Sequence, residues 1–163
     1  MFTFQLLHGF DADGKNYNEK GMKVKWWPNQ LDEIFFNRSQ CFSNQYVNPY
    51  VNNQAILSEN IADHGGLQAS ISAFNLWPMT SSVRLPGLED LSPKQLLFLG
   101  YARSFCSNTK SQALEFQQMV DVHSPSHERI NLAVKNSPIF TESFKCSAKS
   151  KLAFDKEQNC ILW

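Results

Sequence analysis

Gly65 and Gly66 stand side by side inside a stretch, Glu59 to Trp77, that otherwise reads as one helix, with Ser58 placed as its N-cap and Pro78 as its stop. A glycine in a helix interior costs about 0.5–1 kcal/mol relative to alanine. A pair of them is a poor choice unless another backbone comes too close to leave room for a side chain. The stretch therefore predicts a helix that a second segment of the chain approaches at very short distance.

The other segments supply helices, with little strand signal. Asn29 to about Tyr46 carries Leu31, Ile34, Phe35, Arg38 and Phe42 on a roughly helical stripe. Ser92-Pro93 opens a helix to about Ser107, and Ser126 and Ser137-Pro138 start two shorter ones that end near Asn136 and Cys146. The residues after Met1 look like the second half of a helix. Asp11–Gly21 and Val47–Gln54 read as loops, and Leu85-Pro86-Gly87 as a turn. There is no repeat, low-complexity tract or linker, so the expectation is a single mostly α unit.

Its 163 residues suffice to bury roughly 70% of the unfolded surface. Thirteen phenylalanines and 42% apolar residues exclude global disorder. Fifteen basic side chains balance fifteen acidic ones without a basic block, which argues against nucleic acid or an anionic membrane as partner. Met1 to Leu7 is too short to span a membrane and lacks the parts of a signal peptide. Cys41, Cys106, Cys146 and Cys160 contain no CxxC pair, against a zinc ribbon, and composition leaves their oxidation state open. Asn37-Arg38-Ser39 is an acceptor triplet for glycosylation, of a kind frequent by chance.

Three short segments carry chemistry. Glu59 and Asp63 are four apart, so on a helix they share a face one turn apart and repel without a cation nearby. A metal or a metal-bound histidine is one such cation. Two acids favoured by the dipole at a helix N-terminus are the alternative. His8-Gly9-Phe10-Asp11 sets a carboxylate where it can orient an imidazole, and Asp121-Val122-His123 does the same, with Arg129 on the next helix. His64 and His127 read as surface residues.

Together, His8-Gly9-Phe10-Asp11, Gly14, Gly21, Trp26-Trp27, Glu59-Asn60-Ile61-Ala62-Asp63, Gly65-Gly66, Leu85-Pro86-Gly87-Leu88, Asp121-Val122-His123-Ser124-Pro125, Arg129 and the final Cys160-Ile161-Leu162-Trp163 resemble the neprilysin and endothelin-converting-enzyme family of zinc endopeptidases. The resemblance runs from residue 6 to residue 163 and implies the C-terminal part of the zinc-binding helical lobe of a thermolysin-like (gluzincin) metallopeptidase. It implies His8 and Glu59 as ligands of Zn2+, with Asp11 and Asp63 behind the histidine ligands. It implies His123, oriented by Asp121, at the oxyanion, and Arg129 on a substrate carbonyl. It further implies oligopeptide substrates cut on the amino side of apolar residues, and a membrane-anchored or secreted protein outside the cell. The family pairing implies a Cys41–Cys160 disulfide, with Cys106 and Cys146 bonding an N-terminal portion.

Counting back from His8, the family's His-Glu-x-x-His would occupy residues 4–8, where this chain has Phe4-Gln5-Leu6-Leu7-His8. Residues 1–5 do not match the pattern. Phenylalanine does not coordinate zinc and glutamine does not take a proton from water. The expectation is an incomplete peptidase domain over 1–163, inactive alone, with Asp63 left near Glu59 without its histidine. The segment between Cys41 and Glu59 is also shorter than the family's. Three readings follow. The first is the C-terminal part of a longer peptidase, whose N-terminal portion is its partner. The second is a non-catalytic, peptide-binding remnant using His123 and Arg129, and the third a piece whose Trp26–Trp27 region is an exposed apolar patch.

Overall fold

Among the described residues the regular structure is helical: α1 Phe2–Leu7, α2 Asn29–Gln45, α3 Asn53–Leu76, α4 Pro93–Arg103, α5 Ser111–Val120, α6 Ser126–Lys135 and α7 Pro138–Ser143. The computed structural model describes residues 2–46, 53–77 and 84–163. An isolated antiparallel bridge, Tyr17 to Lys23, takes the place of any strand among them.

From Ile56 to Leu67, every residue of α3 except Glu59 is buried. A helix that is apolar or small on all sides belongs at the centre of a fold, and Ile56, Ile61, Ala62 and Leu67 are here essentially inaccessible. α1 lies on α3 at the glycine pair. A Cβ on Gly66 would come within 2.9 Å of the Phe4 Cα and backbone nitrogen. One on Gly65 would meet the Leu7 side chain at 2.8 Å and the Trp163 indole nitrogen at 3.3 Å. The approaching backbone is thus α1 at Gly66, and side chains fill the space over Gly65. A 2.9 Å hydrogen bond between the Thr3 and Ser70 hydroxyls extends the contact by one turn.

Two apolar cores flank this axis. One joins Phe35 and Phe42 of α2 to Leu57 and Ile61 of α3 and to Cys160 and Leu162 of the C-terminal tail. The other joins Leu67 and Ile71 to Phe98 of α4 and to Ala133 and Val134 of α6, under Phe140 and Phe144. Phe98 meets Phe140 edge to face at 5.2 Å, the favoured arrangement of an aromatic pair. The tail is fastened four times. Cys160 is disulfide-bonded to Cys41. The Cys160 and Asn159 side of the tail reaches the buried Asn136 Oδ1, at 2.9 Å from the Cys160 N–H and 3.2 Å from the Asn159 amide. Gln45 and Asn136 exchange two amide hydrogen bonds. Arg38 Nη1 donates to the Leu162 carbonyl at 2.9 Å.

Several expectations change. α3 begins at Asn53, so Ser58 is a buried interior residue and not an N-cap, and Glu59 and Asp63 lie beyond the reach of the helix N-terminus. Burial of Ile56 and Leu57 in the α2 core extends the helix past the serine that imitates a cap. The loop expected over 47–54 lies outside the described residues at 47–52, and 53–54 are helical. Pro78 also lies outside them. On α2 the buried face is Phe35, Ser39 and Phe42, while Leu31, Ile34 and Arg38 line an apolar groove with Trp26 and Trp163. Ser39 is mid-helix and bonds its own backbone at Phe36, which makes Asn37-Arg38-Ser39 unsuited as an acceptor. α4 has the full Ser92–Gln95 capping box and stops at Arg103, its last turn tightening through Cys106. α5 is a further helix outside the sequence expectation, and none of its residues is buried.

Gly66→Ala is expected to lower the unfolding free energy by about 1–3 kcal/mol, because a backbone and not a flexible side chain fills the space. Gly100→Ala, in α4 with nothing near a new Cβ, is expected to raise it by about 0.5–1 kcal/mol. Urea unfolding of both variants checks the crossing, and equal effects contradict it. Replacing both Cys41 and Cys160 by serine reopens a loop with a sequence separation of 119. The chain-entropy argument gives a loss of about 4–5 kcal/mol, read as a shift of the guanidinium midpoint.

Candidate active site

α1 ends one residue before His8, and the chain turns sharply beneath it. Gly14 is obligatory there, since a Cβ would lie 1.7 Å from the His8 carbonyl oxygen. The turn brings Asp11, 3% exposed, back to the imidazole: His8 Nδ1–H donates to Asp11 Oδ2 at 2.7 Å. Asp11 Oδ1 is itself fixed by the backbone N–H groups of Asp13 and Gly14. The other ring nitrogen, Nε2, lies 3.5 Å from Glu59 Oε2.

His123 approaches the same oxygen from the other side, Nε2 to Oε2 3.1 Å. It is built like His8. Its Nδ1 donates to Asp121 Oδ1 at 2.6 Å, its own backbone N–H reaches that oxygen, and Gln117 Nε2 donates to Oδ2. The Glu59 carboxylate, reinforced by Asp121, outweighs burial and lifts the imidazole to about 9, so His123 is cationic at neutral pH. Burial pushes the Asp121 carboxyl up, but the bonds from His123 and Gln117 hold it below its ordinary value. Glu59 Oε2 is itself enclosed and forms no well-aligned hydrogen bond with either imidazole. A buried 2.9 Å bond from the Ser124 hydroxyl to Asn60 Oδ1 pins the His123 segment to α3.

One turn along α3, Asp63 faces Arg129 in a two-pronged pair, Nε to Oδ2 2.6 Å and Nη2 to Oδ1 2.8 Å. Burial pushes the Asp63 carboxyl up against the pull of Arg129. Burial works against the Arg129 charge too, and the Asp63 bonds overcome it. Asp63, expected near Glu59 with less compensation, is thus compensated by a cation from α6. The partly buried guanidinium engages its carboxylate through two bonds, leaving its Nη1 donors uncommitted to Asp63. All seven side chains singled out, His8, Asp11, Glu59, Asp63, Asp121, His123 and Arg129, therefore meet in one cluster. Gln117, Asn60 and Ser124 join it without having been anticipated: Asn60 and Ser124 act on each other across 64 residues, and Gln117 acts from a helix none of whose residues is buried.

Phe4 lies on α1 one turn before His8, their rings edge to face at 4.6 Å. A phenyl group offers no donor, so His8 and Glu59 supply one nitrogen and one carboxylate where a catalytic zinc takes three protein ligands. Among the described residues no three His, Cys, Asp or Glu side chains are arranged to hold a metal ion. The donor set does not fit a catalytic zinc.

The sequence matches the family described as Peptidase family M13 over residues 1–160. It is 37% identical to an endothelin-converting enzyme homolog of Locusta migratoria and 36% identical to human neprilysin, each over 98% of this chain and 22% of the relative. The chain thus spans about a fifth of the length of the curated relatives it matches. Among solved structures it superimposes on the Haemonchus galactose containing glycoprotein complex with a TM-score of 0.88 at 31% identity, over 99% of this chain and 28% of that one. It superimposes on the Mycobacterium tuberculosis zinc metalloprotease ZMP1, in complex with inhibitor, with a TM-score of 0.82 at 25% identity, over 99% and 26%.

His127 is on the surface, as expected, but His64 is not: it is 4% exposed, its ring tilted against that of Phe42 at 5.1 Å, with Nδ1 unpartnered. On a stretch of helix buried all round there is no wet face for it. Burial pushes the imidazole down to about 4 from 6.5. A folded-state value below the unfolded one means full stability above pH 6.5, lost as the pH falls through 6.5 toward 4. About 2 kcal/mol of that loss lies between pH 7 and 5. Urea unfolding at those two pH values is expected to show His64→Leu losing less than the unsubstituted chain by that amount, and equal losses contradict the assignment.

Proposed function

The chain belongs to peptidase family M13, and on that premise we propose that it is the zinc-lobe portion of a neprilysin-like metalloendopeptidase acting on oligopeptides. The observation that carries the reading is the pair of imidazoles, His8 and His123, each backed by its own carboxylate and both turned toward one enclosed oxygen of Glu59. In such an enzyme His8 and Glu59 are metal ligands, and Asp11 fixes the His8 tautomer. His123, cationic and held by Asp121, donates to the oxygen on which charge develops. Arg129, anchored on Asp63, offers its remaining N–H groups to a peptide carbonyl.

We propose further that these residues by themselves do not hydrolyse peptides. Phe4 stands where the first ligand belongs, and Gln5 where the general base belongs. An amide does not accept the proton that a carboxylate would. The donors of His123 and Arg129 survive that loss, which favours peptide binding without cleavage as the second reading. The rest of a longer protein is the proposed partner of the lobe, including cysteines for Cys106 and Cys146, which are free here. The Cys41–Cys160 bond supports an oxidising location, outside the cell or secreted. Among the described residues no helix is long and apolar enough to cross a membrane.

Calorimetric zinc titration distinguishes these statements. The unsubstituted chain is expected to bind zinc weakly, and the Phe4→His, Gln5→Glu double variant to bind one zinc per chain at least about 100-fold tighter. Tight 1:1 binding and cleavage of a fluorogenic peptide by the unsubstituted chain would overturn the proposed inactivity. A double variant without gain would overturn the placement of the metal.

A further inference from the structure

On its α1 side the cluster is held by an interaction that the ion pairs alone do not supply. The Arg129 guanidinium carbon lies 5.0 Å from the centroid of the Phe4 ring and 4.8 Å from that of Phe105, over the face of each. The same guanidinium holds Asp63 through two bonds, and the two side chains are 15% and 3% exposed. The face of a phenyl ring is the negative end of its quadrupole and attracts a cation most strongly where water is excluded. Arginine, planar and weakly hydrated, suits such a site better than lysine.

We infer that Phe4 is a positioning residue: its ring, with that of Phe105, clamps Arg129 onto Asp63, so that the site is ordered without a metal. The ring cannot drift, because the Phe4 backbone rests on Gly66 and its edge meets His8. The Tyr101 hydroxyl adds a 3.3 Å bond to the Arg129 carbonyl, which holds the backbone of the same residue. A cavity of about 230 Å³ opens beside the clamp, with Gln5, Ser70 and Ser104 on its wall, so the guanidinium has room to swing away if a ring is removed. The inference uses contacts within this chain only and does not depend on the peptidase reading.

The test reads the Arg129 Nε–H signal by 15N NMR, assigned by its loss in Arg129→Lys, together with the thermal midpoint. In the unsubstituted chain that proton is expected to exchange at least about tenfold more slowly than the Nε–H of exposed Arg103, and to be unmoved by added zinc or EDTA. Phe4→Tyr keeps the ring and is expected to keep the protection and the midpoint. Phe4→Leu keeps apolar bulk without the π face and is expected to lose the protection and lower the midpoint, and Phe105→Leu the same. If Phe4→Leu does not fold, Phe105→Leu decides alone. Leucine variants that protect the proton as well as Phe4→Tyr does overturn the clamp, as does its loss in Phe4→Tyr. An unprotected proton in the unsubstituted chain, or a zinc-dependent one, overturns it equally.

Discussion

Everything at the site depends on how closely α1 can lie on α3. Only a residue without a Cβ lets the Phe4 backbone rest where it does on Gly66. That contact sets where α1 ends, and so where His8 emerges: opposite Glu59, on the one buried stretch of α3 that carries acids. A second glycine completes the placement. Gly14 folds the following turn tightly against the His8 carbonyl, which returns Asp11 to the imidazole from behind.

The two acids of α3 pose the next problem. They stand one turn apart in a region that excludes water, where an unpaired carboxylate is costly. The fold answers with a separate cation for each. Asp63 takes Arg129 in two-pronged geometry from α6, and Glu59 takes the His123 imidazole from the segment before α6. Both cations come from one short stretch of chain, and the Ser124–Asn60 bond holds that stretch in register between them. The arrangement acts on both pairs in the same sense: Arg129 pulls the Asp63 carboxyl down against the burial that raises it, and Glu59 lifts His123 to about 9.

What could be read from the sequence was the chemistry that acts over a few residues. The glycine pair that signals a close approach, the Ser92 cap and the His8–Asp11 and Asp121–His123 pairs are all written in a few neighbouring residues, and each stands where its spacing placed it. Tertiary burial overrode local signals elsewhere. Ser58 has the look of a cap, but the apolar residues before it are needed in the core, and the helix runs through it. His64 is polar and sits on a helix with no solvent face, so its type misstates its place. α5 is the converse, a helix made by propensity and left exposed, invisible to any search for a buried stripe. The Asp63–Arg129 pair spans 66 residues, and no local pattern announces it. The Cys41–Cys160 pairing was legible through family resemblance alone, since four scattered cysteines admit several pairings.

The C-terminal tail belongs to the same argument as the site, although its residues touch no acid in it. Trp163 stands over Gly65, the neighbour of the glycine that seats Phe4, and packs tilted against Phe35 of α2 and edge to face with Trp27 of the segment before it. One glycine of the pair therefore receives the beginning of the chain and the other its terminal indole. For Trp163 to stay there the tail must be held, and it is held by the disulfide at Cys160, by Asn136 on the Cys160 N–H and by Arg38 on the Leu162 carbonyl. Asn136 ends α6, the helix that carries Arg129. The residue that fastens the tail and the residue that pairs Asp63 are thus placed by the same helix.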